Sequence, residues 1–125
     1  DILEKTPLDK TFILQPMTMT HKLRRFLADS GYVIFDEALV MEDGKLYTVL
    51  VAKKGDSEPY SEAEYYIGKN LYNDPLFPEL CKRLNAKFQT AIKGISKSKN
   101  QDKLKFYKNL LLEIEERNGK NGKGN

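Results

Sequence analysis

Apolar and polar positions divide the 125-residue chain into two stretches with different periods. Between residues 11 and 52 the apolar residues form short, nearly continuous runs. Thr11-Phe-Ile-Leu-Gln-Pro is one, closed by a proline that cannot continue a hydrogen-bonded ladder, and it predicts a buried strand. Met19, Leu23, Phe26 and Leu27 follow at helical spacing, with Thr18 or Thr20 as the expected N-cap and Gly31 as a left-handed stop. Tyr32 to Val40 and Leu46 to Ala52 are rich in strand-forming residues. They flank Glu42-Asp43-Gly44-Lys45, where Asp-Gly supplies the positive φ angles of a tight hairpin turn. Tyr32-Val33-Ile34-Phe35 and Val49-Leu50-Val51 do not alternate with polar residues, so both faces of this sheet are expected to be covered.

From Leu76 the period becomes helical. Leu76, Leu80, Leu84, Phe88, Ile92 and Ile95 step by four or three, as do Leu104, Tyr107, Leu111 and Ile114, and the polar stretch 97 to 102 interrupts the pattern. Two helices of roughly 20 and 16 residues in a coiled-coil-like antiparallel hairpin are predicted over 76 to 117. The Asn/Gly/Lys tail, 118 to 125, has no apolar residue to bury and is expected to be disordered. Residues 55 to 75 read as a connector holding four of the seven tyrosines, Tyr60, Tyr65, Tyr66 and Tyr72. A short helix from Ser61 to Ile67 is expected there, with Ser61 and Glu64 as a capping box.

Composition narrows the class. A 40% hydrophobic content and a mean hydropathy of −0.58 suit one soluble domain, and no apolar run is long enough to span a membrane. One Cys and one His leave neither an internal disulfide nor a structural zinc set, which predicts an intracellular, cytoplasmic protein without a metal. The chain opens on Asp1 with no leader, so it is read as processed, trimmed or a fragment. The net charge of +3 is unevenly spread: residues 1 to 62 carry −3 and residues 63 to 125 carry +6. Lys82 to Lys108 holds nine Lys/Arg against one acid, the footprint of a phosphate-backbone binder as well as of a solvated helix face.

Residues 1 to 54 give strand, helix, strand, hairpin turn, strand, and three strands with one helix cannot cover two apolar faces. Either a second copy pairs with the exposed sheet, or an N-terminal part is missing. The second is more economical, because a strand, a helix and an antiparallel β-hairpin whose last strand inserts beside the first close a Rossmann-like methyltransferase sheet. The predicted fold class is therefore α/β: the closing half of such a sheet (1 to 54), the connector (55 to 75) and a C-terminal helical hairpin.

Phe-Ile-Leu-Gln-Pro (12 to 16), His-Lys-Leu-Arg-Arg-Phe-Leu (21 to 27), Gly-Tyr-Val-Ile-Phe-Asp-Glu (31 to 37), Glu-Asp-Gly-Lys-Leu-Tyr-Thr-Val-Leu-Val-Ala (42 to 52) and Asp-Pro-Leu-Phe (74 to 77) carry a resemblance. In order and approximate spacing they resemble the second half of the bacterial TrmK-type tRNA (adenine-N1)-methyltransferases. The resemblance implies an S-adenosylmethionine-binding Rossmann domain, a coiled-coil-like domain that meets tRNA, and methylation of an adenine N1 in the D-arm region. It places Asp1 to Lys5 at the end of the helix before the Gln-Pro strand. The glycine-rich turn and the acidic ribose-binding residue of the family are absent here, so the cofactor is expected to bind a part outside this chain, and the 125 residues alone to be inactive. Met17 stands where many relatives carry Asn.

Gln15 and Pro16 sit at the carboxyl end of a central strand, where open α/β sheets place ligands. They are the candidate catalytic-site residues, Gln15 to hydrogen-bond the adenine edge and Pro16 to aim the loop; the alternative is local backbone satisfaction and a plain strand end. Lys82, Arg83, Lys87, Lys93, Lys97, Lys99, Lys103, Lys105 and Lys108 are the candidate RNA contacts. Arg24 and Arg25 are expected on the exposed side of the first helix. The connector tyrosines are read as mortar between modules rather than base-stacking platforms. Unpaired adenine N1 has a free lone pair, so geometry matters more than a strong base, and His21 in a first helical turn is a poor general base. Cys81 is expected in the core. Two other classes remain open: a non-catalytic RNA-binding module and a coiled-coil interaction protein.

Overall fold

A computed structural model describes residues 10 to 16, 18 to 98 and 100 to 123. Its elements are β1 (Thr11–Leu14), α1 (Thr20–Asp29), β2 (Tyr32–Glu42), β3 (Lys45–Lys54), α2 (Glu62–Ile67), α3 (Phe77–Ser98) and α4 (Gln101–Lys123). The strands form one antiparallel sheet in the order β1-β3-β2, so the last strand lies between the first and its hairpin partner. This is the insertion expected of a Rossmann-like closing hairpin. Asp43 and Gly44 both adopt positive φ, 52° and 77°, and Glu42 pairs with Lys45 across this two-residue turn. A bulge between Ile34 and Asp36 shifts the β2 register.

Two apolar clusters hold the molecule together. Leu27 of α1 covers one sheet face with Tyr32, Ile34, Leu50 and Ala52, flanked by Phe12, Leu14 and Leu23. The other cluster joins Leu39 of β2 to Ala63, Ile67 and Leu71 of the connector region and to Phe77, Cys81, Phe88, Leu110, Leu111 and Ile114 of the two long helices. Helix α3 presents two apolar rows. Phe77, Cys81 and Phe88 are buried, whereas Leu80 and Leu84, which with Leu76 just ahead of the helix make the row most visible as a four-residue step, are half-buried. Burial of Cys81 pushes its thiol up to about 11.

Several sequence-based expectations do not hold. Neither Thr18 nor Thr20 caps α1: Met19 is the N-cap in the left-handed region, φ 58°, with no side-chain cap hydrogen bond. The opposite sheet face is open among the described residues, with Ile13 75% and Phe35 44% exposed, as expected where three strands and one helix cannot cover both faces. Helix α4 runs to Lys123, past the point at which the sequence predicts a disordered tail. Residues 118 to 123 contain no apolar side chain, and Asn118 is half-buried at the cavity between α3 and α4. Asp1 to Lys5, Met17 and residues 124 and 125 lie outside the described residues.

The connector is tied down at both ends. Ser61 Oγ accepts from the Glu64 N–H at 3.2 Å and Glu64 Oε1 accepts from the Ser61 N–H at 2.8 Å, the reciprocal capping box expected from the sequence. Asp74 uses both carboxylate oxygens, one accepting from the Leu76 N–H just ahead of α3 and the other from the Leu39 N–H of β2, each at 2.9 Å. Arg117 of α4 reaches back to the Tyr72 hydroxyl at 3.2 Å, so α3 and α4 run in opposite directions.

Candidate nucleic-acid interface

Gln15 and Pro16 directly follow β1, Gln15 exposed and Pro16 half-buried. The chain then turns into α1. A groove of about 200 Å³ opens beside this turn, lined by Thr18, Met19, Thr20 and His21, by Leu46 and Thr48 of β3, by Tyr66 of α2, and by Leu80, Leu84 and Lys87 of α3. It brings the segment after the Gln-Pro strand end against the basic helix. His21 stacks on Tyr66 with ring centroids 4.3 Å apart and planes 15° off parallel. Tyr66 in turn meets Phe88 edge-on at 5.0 Å, and Phe88 meets Tyr107 at 5.5 Å, so a chain of rings runs from α1 to α4. The His21 imidazole titrates below its ordinary value because burial and then the Lys87 charge, with smaller contributions from Lys22, Arg25 and Arg24, disfavour its protonated form.

The predicted basic residues separate by what they touch. Lys87 lines the groove, and Lys82 lines a second cavity of about 220 Å³ between α3 and α4. Arg83 donates through Nε to Glu79 at 2.7 Å and through Nη1 to the Gly44 carbonyl at 3.0 Å, tying α3 to the β-hairpin turn. Lys93, Lys103, Lys105 and Lys108 are exposed, and none has a carboxylate within ion-pair distance among the described residues. The Lys97 side chain and Lys99 lie outside the described residues.

Arg24 is the clearest correction. It is fully buried rather than on an exposed helix side: Nε donates to Glu37 Oε1 at 2.9 Å and Nη1 to the Tyr65 carbonyl at 2.6 Å. Glu37 Oε2 accepts from the backbone N–H groups of Lys69 and Asn70, both at 3.1 Å. Gly68, at φ 75°, passes so close that a Cβ there would lie 2.5 Å from Glu37 Oε2. This pair locks α1, β2 and the connector together beside the groove. Its partners are 13 positions apart with no local motif, which is why the sequence does not reveal it. Arg25 is exposed and pairs with Glu62 at 2.7 Å.

The tyrosines pack, as expected. Arg25, Tyr65, Tyr60 and Lys69 form one continuous stack, with 4.1, 4.9 and 4.6 Å separating successive members. Burial pushes the Tyr60 hydroxyl up to about 12. These rings already have cations and one another as neighbours, which leaves little room for a stacked base.

Neither strand-to-helix passage among the described residues carries a glycine-rich turn: Leu14 to Thr20 contains no glycine, and Lys54 to Glu62 contains Gly55 alone. The phosphate or cofactor cradle of a Rossmann fold needs such a turn, so these residues do not fit a cofactor cradle. No helix is long and apolar enough to cross a membrane, and no group of three or more metal-ligating side chains is found, both among the described residues.

The antiparallel closing strands, the helix after the first strand and the appended helical hairpin define a Rossmann-like α/β protein with a helical appendage. The crystal structure of B. subtilis TrmK, an M1A22 tRNA methyltransferase, superposes with a TM-score of 0.77 at 26% identity, over 93% of this chain and 54% of that one. M. capricolum TrmK in complex with S-adenosyl-homocysteine shares the fold, with a TM-score of 0.68 at 19% identity over 92% of this chain and 52% of that one. In sequence, the tRNA (adenine(22)-N(1))-methyltransferase of Bacillus subtilis strain 168 is 39% identical over 77 residues, 61% of this chain and 30% of that protein. The chain thus spans about half or less of the relatives it matches. Residues 1–116 match the TrmK family, described as tRNA (adenine(22)-N(1))-methyltransferase, and the chain belongs to that family.

Proposed function

We propose that this chain is the substrate-side part of an S-adenosylmethionine-dependent methyltransferase that methylates N1 of a tRNA adenine in the cytoplasm. The observation that carries this reading is the groove in which the segment after Gln15-Pro16 faces Lys87 of the basic helix. Family membership supports it. The hairpin docks tRNA through the exposed Lys82, Lys87, Lys93, Lys103 and Lys105, together with Lys97 and Lys99. Arg83 serves chiefly to hold α3 on the β-hairpin turn and adds its charge there. Gln15 and Pro16 form the rim that receives the base, Gln15 offering an amide to the adenine edge. The bound cofactor supplies the methyl group; what this chain contributes is the orientation of N1 and exclusion of water at the sheet edge.

Because no glycine cradle is present among the described residues, S-adenosylmethionine binds residues outside this chain. Calorimetric titration of the 125 residues is expected to show no measurable cofactor binding, and an assay of them no methyl transfer, while joining them to a glycine-rich Rossmann half restores both. Tight cofactor binding to the 125 residues alone would sink this assignment. The open sheet face, with Ile13 75% exposed, favours a second reading of the isolated chain, self-association through that face. Sedimentation at rising salt separates the two, since an apolar contact persists where an RNA complex dissociates.

A further inference from the structure

His21 is the chain's one histidine, half-buried at the wall of the groove, and the charges that face it are all positive. Helix α1 contributes Lys22, Arg24 and Arg25, and α3 contributes Lys87. Tyr66 of α2 covers the ring face with its own hydroxyl raised by burial, and β3 adds only the uncharged Leu46 and Thr48. Two of the four cations are neutralised, Arg24 by Glu37 and Arg25 by Glu62. Lys22 and Lys87 have no carboxylate within ion-pair distance among the described residues. The groove therefore carries uncompensated positive charge beside the Thr18 and Thr20 hydroxyls, over an apolar floor of Leu46, Leu80 and Leu84.

That combination suits a small anion rich in acceptor oxygens and attached to a carbon skeleton. A carboxylate-bearing peptide would satisfy the charge but supplies fewer acceptor oxygens for Lys87, His21 and the two threonine hydroxyls. A phosphodiester flanked by sugars matches both features, and Thr18 at the groove follows Gln15-Pro16, the proposed base-receiving rim, by two positions in the chain. We infer that this groove holds one RNA phosphodiester between Lys87 and His21, with the Thr18 and Thr20 hydroxyls as further donors. The inference rests on the RNA-docking reading above and adds to it a defined phosphate position beside the base-receiving rim. Burial and, after it, the neighbouring cations disfavour the protonated imidazole, and a bound anion offsets the cationic part with attraction, so RNA binding takes up a proton and strengthens as the solution becomes more acidic.

Because the chain has a single histidine, its imidazole resonances report this site without assignment. The test follows the ¹⁵N-labelled imidazole of the whole chain from about pH 5 to about pH 8, the range in which histidine titrates. It is run free, with a short single-stranded RNA, and with inorganic phosphate at matched phosphate concentration and ionic strength. RNA is expected to move the His21 midpoint up by about one pH unit, a tenfold preference for the charged ring. Lys87→Met is expected to remove most of that movement and to lower the salt dependence of RNA affinity by about one phosphate contact, and Lys87→Arg to restore both. RNA that binds while the His21 midpoint stays fixed overturns the phosphate assignment and leaves the docking reading intact. Inorganic phosphate that alone reproduces the full movement overturns it in the same way. A chain that binds no RNA overturns both.

Discussion

Two basic regions of this molecule use the same charge in opposite ways. In α1, Arg24 is fully buried against Glu37 and Arg25 pairs with Glu62 at the surface, so both guanidinium groups are committed to architecture. In α3 and α4, Lys87, Lys93, Lys103 and Lys105 project from exposed positions with no acid in reach among the described residues. Arginine suits the first role because its planar fork serves several acceptors at once, here a carboxylate and a carbonyl. Lysine suits the second, as a hydrated point charge that can follow a phosphate backbone. What counts for binding is unpaired charge, and a tally of Lys and Arg does not distinguish the two.

Breaking the committed pair gives the largest effect. Glu37→Ala leaves Arg24 buried without its carboxylate and is expected to lower stability by about 3–5 kcal/mol in urea denaturation. Arg24→Met with Glu37→Leu together should recover only part of that loss: an apolar pair needs no desolvated charge, but the Lys69 and Asn70 N–H groups and the Tyr65 carbonyl lose their partners. Next is Gly68→Ala, whose Cβ would meet the Glu37 carboxylate at 2.5 Å on a backbone at φ 75°, for a loss of about 2 kcal/mol. Replacing Lys93, Lys103 and Lys105 together by Gln tests the uncommitted side. Stability should stay within about 0.5 kcal/mol while RNA affinity at low salt drops about tenfold, equal to about 1.4 kcal/mol. Equal losses of stability and binding would erase the contrast between the regions.

The smallest effect is a pH dependence. His21 titrates lower in the folded chain than in the unfolded one, so below the ordinary histidine value of about 6.5 the unfolded state gains a proton that the folded state does not. Its contribution to stability is complete above that pH and is lost as pH falls through the folded value. His21→Gln should flatten this part of the stability profile, measured as the difference between the two proteins so that carboxylate titration cancels.

Much of the architecture can be read directly from local chemistry. The Asp43-Gly44 turn and the Ser61/Glu64 capping box are short-range devices whose partners lie within a few residues, and both are present as expected. The Gln-Pro strand end and the helical periods are equally local. The groove is not legible in the sequence, because its walls come from α1, β3, α2 and α3 and meet only through the fold. Arg24 escapes a sequence reading for a related reason: an arginine on an amphipathic helix looks solvent-facing unless its distant acid is known. The two apolar rows of α3 also blur together, since Phe77 and Cys81 adjoin Leu76 and Leu80 along the chain. The left-handed Met19 has no sequence signal, as methionine is an unusual residue at positive φ.

Asp74 makes the protein hard to divide. Its one carboxylate ties the start of α3 to the backbone of β2, and Leu39 of β2 sits in the same apolar cluster as the long helices. The segment between sheet and hairpin is therefore a weld and not a tether. Cutting the chain there would expose Phe77 and Cys81 along with the underside of β2, so neither piece would fold as a free-standing unit. Under the docking proposal, an RNA strand on the hairpin would be held at a fixed distance from Gln15, and the protein would act as a gauge that admits only substrates of matching span.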